Sequence, residues 1–234
     1  MALPFFYTER TGQPGTTVTL EESTSKHISQ VLRMKIGEKI HITDGKGNKL
    51  TAAIHNYQKK DCIVAIEKSI FIEPWFPSIS IAVSLLKNTS RFEWFLEKAT
   101  ETGINNIIPM ICERTERTHF RHDRLKNIMV SAMLQSQQAW LPQLSEPVFF
   151  SSWVGQQQQA LKCIAHCMED RKQSVREISP LPAEALICIG PEGDFTPAEI
   201  DLALINQYIP VSLGETRLRA ETAAIAAAIL LRIR

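Results

Sequence analysis

The chain lacks the short signatures that most often announce a nucleotide or hydrolase site. No Gly-x-Gly-x-x-Gly follows an apolar strand pattern, so a dinucleotide-binding fold is unsupported. There is no Gly-x-x-x-x-Gly-Lys loop to cradle a phosphate and no Gly-x-Ser-x-Gly elbow to present a serine nucleophile. No run approaches the ~18 consecutive apolar residues of a membrane span. The apolar start, residues 1–7, is short, is interrupted by Pro4 and lacks a basic leader, so a soluble cytoplasmic protein without membrane attachment is expected. The cysteines Cys62, Cys112, Cys163, Cys167 and Cys188 are odd in number and form no disulfide framework, which points to reduced thiols in a cytosolic protein. Cys163, His166 and Cys167 lie close together. Without a fourth ligand nearby or a common zinc spacing, they read as a helix or strand end with buried thiols, and no metal is expected. The formal net charge is only +1, which does not advertise a nucleic-acid binder but leaves room for a local basic face.

With 234 residues, 44% hydrophobic and 22% charged, the chain can bury a core in one large domain or two small ones, and disorder is not expected. Residues 1–73 read as short strands: 16–20, 39–43, 49–57 and 62–66, with turns at 44–48 and 59–61. Strands at this spacing predict a small β-barrel. One helix interrupts them over 25–33, with Ile28, Val31 and Leu32 on one face. Glu73-Pro74-Trp75-Phe76-Pro77 reads as a linker stiffened by its prolines. From residue 78 to 234 strands and helices alternate: strands at 79–86, 106–111, 160–165 and 185–189, and helices at 91–103 and 123–138. Gln156 to Gln159 reads as an exposed helix start. The alternation predicts an α/β domain with a mostly parallel sheet covered on both faces, in which ligands bind beyond the carboxyl ends of strands.

Two glycine loops lie at such ends. The first runs Ile189-Gly190-Pro191-Glu192-Gly193-Asp194-Phe195 into Thr196-Pro197-Ala198-Glu199. Thr196 suits a helix cap, Pro197 the first helical position, and Glu199 completes a capping box. Backbone amides near Gly193 are then free to hold a carboxylate or carbonyl, although an ordinary strand–turn–helix connection has the same pattern. The second loop runs Leu213-Gly214-Glu215-Thr216-Arg217-Leu218-Arg219 into an alanine-rich helix starting near Glu221 and Thr222. The small residues of that helix allow another helix to pack close. Arg232 and Arg234 fit a solvated helix end, whereas Arg219, beside a glycine turn, does not.

Together these loops resemble the SPOUT class of S-adenosylmethionine-dependent RNA methyltransferases, and within it the ribosomal RNA small-subunit methyltransferase E family. Besides Ile189 to Gly193 and Leu213-Gly214…Leu218-Arg219-Ala220-Glu221-Thr222-Ala223, the likeness takes in His27…Val31-Leu32-Arg33…Gly37, Asp44-Gly45, Glu97-Lys98…Glu101-Thr102-Gly103 and Cys112-Glu113-Arg114. The resemblance implies a PUA-like β-barrel over 1–73, a trefoil-knotted α/β methyltransferase domain over 78–234, and a homodimer. It also implies S-adenosylmethionine bound by Ile189, Gly190, Pro191, Glu192, Gly193, Leu213, Gly214, Leu218 and Thr222. The reaction it implies is methylation at N3 of a uridine in 16S ribosomal RNA within the small subunit. The sequence departs from the family at Gln138 and its glutamine neighbours and at Thr216, where arginine is usual.

Under that reading Arg219 and Glu221 are the catalytic candidates. Arg219 would stabilise a developing uridine anion and Glu221 would orient it; a purely structural pair at a helix start is the plain alternative. RNA contact would come from Lys26, Arg33 and Lys35, with Lys59 and Lys60, on the barrel, and from Arg114, Arg117 and Arg121 with Arg124 and Lys126. Counted with Glu113, Glu116 and Asp123, the last five cations net two positive charges (5 − 3), as a solvated surface loop also would. Two other readings stay open: a SPOUT enzyme acting on another base or a ribose, and a non-catalytic RNA-binding assembly factor.

Overall fold

The computed structural model describes residues 3–58, 61–169 and 171–233. The chain divides into two compact units, Met1–Pro74 with Met133–Leu141, and Trp75–Ala132 with Pro142–Arg234.

The first unit contains β1 (Phe5–Tyr7), β2 (Thr17–Thr19), a short helix α1 (Glu22–Lys26), β3 (Lys39–Thr43), β4 (Asn48–Gln58) and β5 (Asp61–Phe71). They form one sheet in the order β1-β3-β4-β5-β2, parallel only between β1 and β3. Strand alternation sends Ile40 and Ile42, Leu50, Ala52 and Ile54, and Cys62, Val64 and Ile66 to one side. There they join Phe6 and Val18 in a single core. All five strands contribute to that core, and register breaks after Thr51 and Ile54 bend the long β4–β5 pair. A curled, PUA-like sheet results.

Two details depart from the sequence reading. The helix expected over 25–33 is α1 followed by a π-helical turn, His27–Val31, in which Leu32 N–H bonds to His27 O. The wider turn breaks the 3.6-residue stripe, so Ile28 is fully buried while Val31 is 66% exposed and Leu32 is exposed as well. Residues 133–141, expected in the second domain, belong to the first unit. Ala139 O accepts from Thr43 Oγ1 at 3.2 Å and from Gly47 N at 3.0 Å, and the Trp140 indole donates to Ile72 O at 2.7 Å. Gly47 has φ +91° and lies so close to Trp140 that a Cβ would stand 2.6 Å from the ring. The partner of this turn is some ninety residues away, beyond any local pattern. Lys59 and Lys60 of the expected second turn lie outside the described residues.

The second unit runs β6 (Ser78–Ser84), α2 (Thr89–Glu101), β7 (Asn106–Ile111), α3 (His122–Gln135, whose last turn belongs to the first unit), β8 (Gln143–Leu144), β9 (Val148–Phe149), α4 (Phe150–Trp153), β10 (Leu161–Ala165), β11 (Gln173–Ser174), β12 (Glu184–Ile189), α5 (Pro197–Ile205), β13 (Ile209–Ser212) and α6 (Ala220–Arg232). All pairs are parallel, in the order β11-β13-β10-β12-β6-β7-β8, with β9 also on β7. The central β12 is buried from Ala185 to Ile189, as a strand covered on both faces must be. Ala220, Ala224, Ala227 and Ala228 are buried as α6 packs on α2, β6 and β12, so the small-residue face serves this chain's own core.

Gln156 ends a turn of 3-10 helix and does not start one. Gln156 and Gln157 donate back to Ser152 O and Trp153 O, and the chain then enters β10. Arg232, expected in solvent, is half-buried. It donates to Pro77 O and Gly103 O at 2.8 Å and to Asn105 Oδ1 at 2.6 Å, with its guanidinium 5.9 Å from the Trp75 ring. Burial lowers its pKa, but a guanidinium remains charged at any working pH. Arg234 lies outside the described residues. Replacing Arg232 with alanine strips these oxygens of a charged donor. We expect a loss of about 2–4 kcal/mol, seen as a lower urea midpoint at unchanged m-value; an unmoved midpoint would show the contacts to be idle.

Candidate active site at the carboxyl edge of the parallel sheet

Parallel pairing brings three strand ends together: Ala165 of β10 stands beside Ile189 of β12 on one side and Val211 of β13 on the other. The connections leaving these strands line two adjoining cavities that share Ala165, Cys167, Arg217, Leu218 and Ala223. The first has a volume of about 300 Å³, at the small end of the range of ligand sites.

Of the residues singled out from sequence, Ile189, Gly190, Pro191, Glu192, Leu213, Gly214, Leu218 and Arg219 line these cavities. Gly193 and Thr222 do not. Gly193 lies beneath Arg114, whose guanidinium donates to Gly193 O at 2.7 Å and whose Cδ a Cβ would meet at 3.4 Å. Ala165, Cys167, Lys172, Asp194, Val211 and Ser212 also line the cavities and were not selected from sequence. Their signal was available: residues 166–172 follow a strand of the same parallel sheet, where ligands gather.

The first loop is braced from several directions. Asp194 adopts φ +64°, and its carboxylate accepts from Phe195 N at 2.9 Å and Cys167 N at 2.8 Å, joining two of the three connections. Phe195 is buried against Phe150, with ring centroids 5.0 Å apart, and crosses under Gly190. A Cβ at residue 190 would stand 3.1 Å from Phe195 N, so glycine permits this close approach. The capping box forms as read: Thr196 N–H donates to Glu199 Oε2 at 2.9 Å and Glu199 N–H to Thr196 Oγ1 at 3.3 Å. The other Glu199 oxygen accepts from Glu113 N at 2.9 Å, and Glu192 Oε1 accepts from Lys87 N at 3.1 Å.

The second loop is receptive by contrast. Gly214 sits at φ +151°. The N–H groups of Glu215, Thr216, Arg217 and Leu218 make no hydrogen bond among the described residues, although these residues line the cavity. Lys172, Arg217 and Arg219 bring positive charge and Glu192, Asp194 and Glu215 negative charge. This mixture, with free backbone donors, suits a ligand that itself carries both signs. Arg219 is exposed, on extended backbone at the cap of α6. Glu221 turns away from the position expected for it: it is buried, with Oε1 3.6 Å from Arg91 Nε and Oε2 unpartnered. α6 has begun by residue 221, and its backbone carries that side chain toward α2.

The basic residues are spread out. Arg33 and Lys35 are exposed, and Lys26 pairs with Glu22 at 2.8 Å. Arg117 is exposed, and Arg121 Nε donates to His119 Nε2 at 3.0 Å. Arg124 grips Glu93 through two bonds of 2.7 and 3.1 Å, which hold that carboxyl below its usual range. Thr216 is an exposed lining residue, and Gln138 bonds to Ser136 Oγ at 3.0 Å. Among the described residues no group of His, Cys, Asp or Glu is placed to hold a metal.

All five cysteines are free, and Cys62, Cys112, Cys163 and Cys188 are buried. Burial pushes the thiol of Cys62 up to about 11 and that of Cys163 to about 12, and raises Cys112 and Cys188 too. Cys167 alone is exposed, at the shared wall of both cavities. Thiol labelling of the native protein at neutral pH should therefore modify Cys167 rapidly and the other four only on unfolding, because the thiolate is the reacting species. Fast release of two or more thiols would contradict the burial.

Residues 74–232 match the model of an RNA methyltransferase domain, and residues 20–67 that of an RNA methyltransferase PUA domain. The ribosomal RNA small subunit methyltransferase E of Synechocystis sp. is 31% identical over 213 residues, spanning 88% of this chain and 70% of that protein. The Rickettsia conorii protein of the same name is 26% identical, over 88% and 85% of the two chains. The Neisseria gonorrhoeae ribosomal RNA small subunit methyltransferase E, solved bound to S-adenosyl methionine, superposes with a TM-score of 0.87 at 27% identity, covering 97% of this chain and 95% of that one. With both parts of the chain matched in this way, and with paired loops meeting at the carboxyl edge of a parallel sheet, the protein belongs to the ribosomal RNA small subunit methyltransferase E family of RNA methyltransferases.

Proposed function

We propose that the protein transfers a methyl group from S-adenosylmethionine to N3 of a uridine in 16S ribosomal RNA of the small subunit. The observation that carries this reading is the meeting of a braced loop, 190–196, with a loop of unengaged amides, 215–218, around two adjoining cavities. Bound there, S-adenosylmethionine supplies a methyl group already activated on a sulfonium. Ile189, Gly190, Pro191, Glu192, Leu213, Gly214 and Leu218 hold it, and the free amides recognise its adenine and its amino-acid portion. Gly193 acts from beneath, through the Arg114 contact that fixes the loop, and Thr222 acts through the start of α6.

The uridine must leave its stack to reach this cavity. Arg219, exposed on the cavity wall, stabilises the anion that forms as N3 loses its proton. Glu221 acts at one remove: its pairing with Arg91 fixes the helix start from which Arg219 projects. Lys26, Arg33, Lys35, Arg117 and Arg121 neutralise phosphates and position the RNA without reading its sequence. The working form is a cytoplasmic homodimer; exposed Ile205, Ile229 and Ile233 offer apolar surface for a second copy. A trefoil threading of the C-terminal segment is supported by β13 lying beside β10 while α6 returns to pack on β6 and β12.

Incubation with S-adenosylmethionine and small subunits from a strain lacking the modification should yield 3-methyluridine by nucleoside mass spectrometry. A methylated ribose or another base would overturn the reaction assigned, and bound donor with no product would turn the protein into a binding factor. Arg219→Ala should lower kcat by at least about a hundredfold while the donor dissociation constant stays the same; near-normal turnover removes that role. RNA affinity should fall roughly one hundred- to five-hundredfold between about 50 and 200 mM salt, as the five phosphate contacts release their counterions. A flat titration would exclude the basic contacts.

A further inference from the structure

We infer that a separate cavity in the second unit seats a nucleotide adjacent to the methylated uridine, its base against Phe120 and its phosphate between Arg117 and Arg121. The inference rests on the reading that the substrate is RNA. The cavity has a volume of about 270 Å³ and shares no lining residue with the two at the sheet's carboxyl edge. It opens just past β6, where Leu85 and Leu86 follow the strand. β6 is the direct neighbour of β12, with Val83 opposite Ile189, and Lys87 N–H bonds to Glu192 of the first loop. The cavity therefore begins one strand spacing, about 5 Å, from the donor side of the sheet edge.

Its walls have the two characters of a nucleotide. The floor is apolar: Leu85, Leu86, Phe92 and Leu125 are buried. Phe120 stands half-buried at the side, its ring held edge-on by His122 with centroids 6.1 Å apart. A fixed aromatic face is a platform on which any base can stack. The rim is cationic. Arg124 is occupied by Glu93, but Arg117 has no partner among the described residues, and Arg121 uses only Nε, on His119 Nε2. One unpaired guanidinium, and a second bonded only through its Nε, above an aromatic wall suit a phosphate attached to a flat base better than a free anion or an apolar peptide. The methylated uridine itself cannot fill this space, because its N3 must reach the cavity lined by Ile189 and Arg219. The occupant is thus a neighbour in the strand, splayed out beside it.

The test places p-azidophenylalanine at position 120 in the full-length protein, irradiates it with small subunits lacking the modification, and maps the crosslink by reverse transcription. A crosslink within a few nucleotides of the methylated uridine, but not on it, is expected. A crosslink to that uridine, to distant RNA or to a second copy of the chain, or no crosslink, overturns the inference. In steady state Phe120→Ala should raise KM for subunits roughly ten- to a hundredfold, the range of one lost stack. The donor dissociation constant should not change, and Phe120→Tyr should restore KM, which repair of mere packing would not require. An unchanged KM with normal formation of 3-methyluridine sinks the subsite and leaves the methylation reading intact. Absence of any methylated nucleoside with the wild-type protein sinks that reading instead.

Discussion

Parallel pairing around β12 is the constraint from which the site follows. A parallel strand must cross over before it can pair again, and both faces of its sheet must be covered. That is why Ala185 to Ile189 are all buried, and why α6 is tiled with alanines where it packs on β6 and β12. The same constraint sends every carboxyl end to one edge. The loops after β6, β10, β12 and β13 meet because their strands run in one direction.

At that edge the two glycine loops divide the work. The first is held by carboxylates on backbone amides: Glu192 on Lys87, Asp194 on Cys167, Glu199 on Glu113. Hydrogen bonds to a charged acceptor are worth about 1.5–3 kcal/mol each, and here each reaches a different segment, so the loop cannot move without disturbing three others. Arg114 closes it from above Gly193. The second loop keeps its amides free. A rigid wall facing a receptive one is the arrangement that positions a reactant without reorganisation at the moment of reaction.

How legible this was depends on sequence distance. The capping box could be read because Thr196 and Glu199 are one turn apart, and Pro197 marks the helix start unaided. β12 could be read because a strand buried on both faces is a continuous apolar run. That Phe195 passes so close to Gly190 could not be read, because the approach depends on how the loop folds back. Glu221 was read beside Arg219, two residues away, and its carboxylate pairs with Arg91 on another helix. Arg114 was counted among the RNA-facing cations, and one nitrogen of its guanidinium also donates to a carbonyl seventy-nine residues along the chain. Val31 and Leu32 misled because a π turn shares its residue types with an α-helix and differs only in its bonding.

Local order was therefore written in the chain: which segments alternate, where α5 begins, which stretches are apolar enough for a parallel sheet, and that two glycine loops end at strand termini. Those features arise from interactions spanning a few residues, whose energies do not depend on the rest of the molecule. Partner choice was decided only on folding. Whether a carboxylate meets Arg91 or Arg219, whether Arg232 stays in water or caps Gly103, and whether residues 133–141 attach to the turn at 44–48 each depend on what packing brings within about 3 Å, the reach of a hydrogen bond. A one-dimensional pattern carries no such distance.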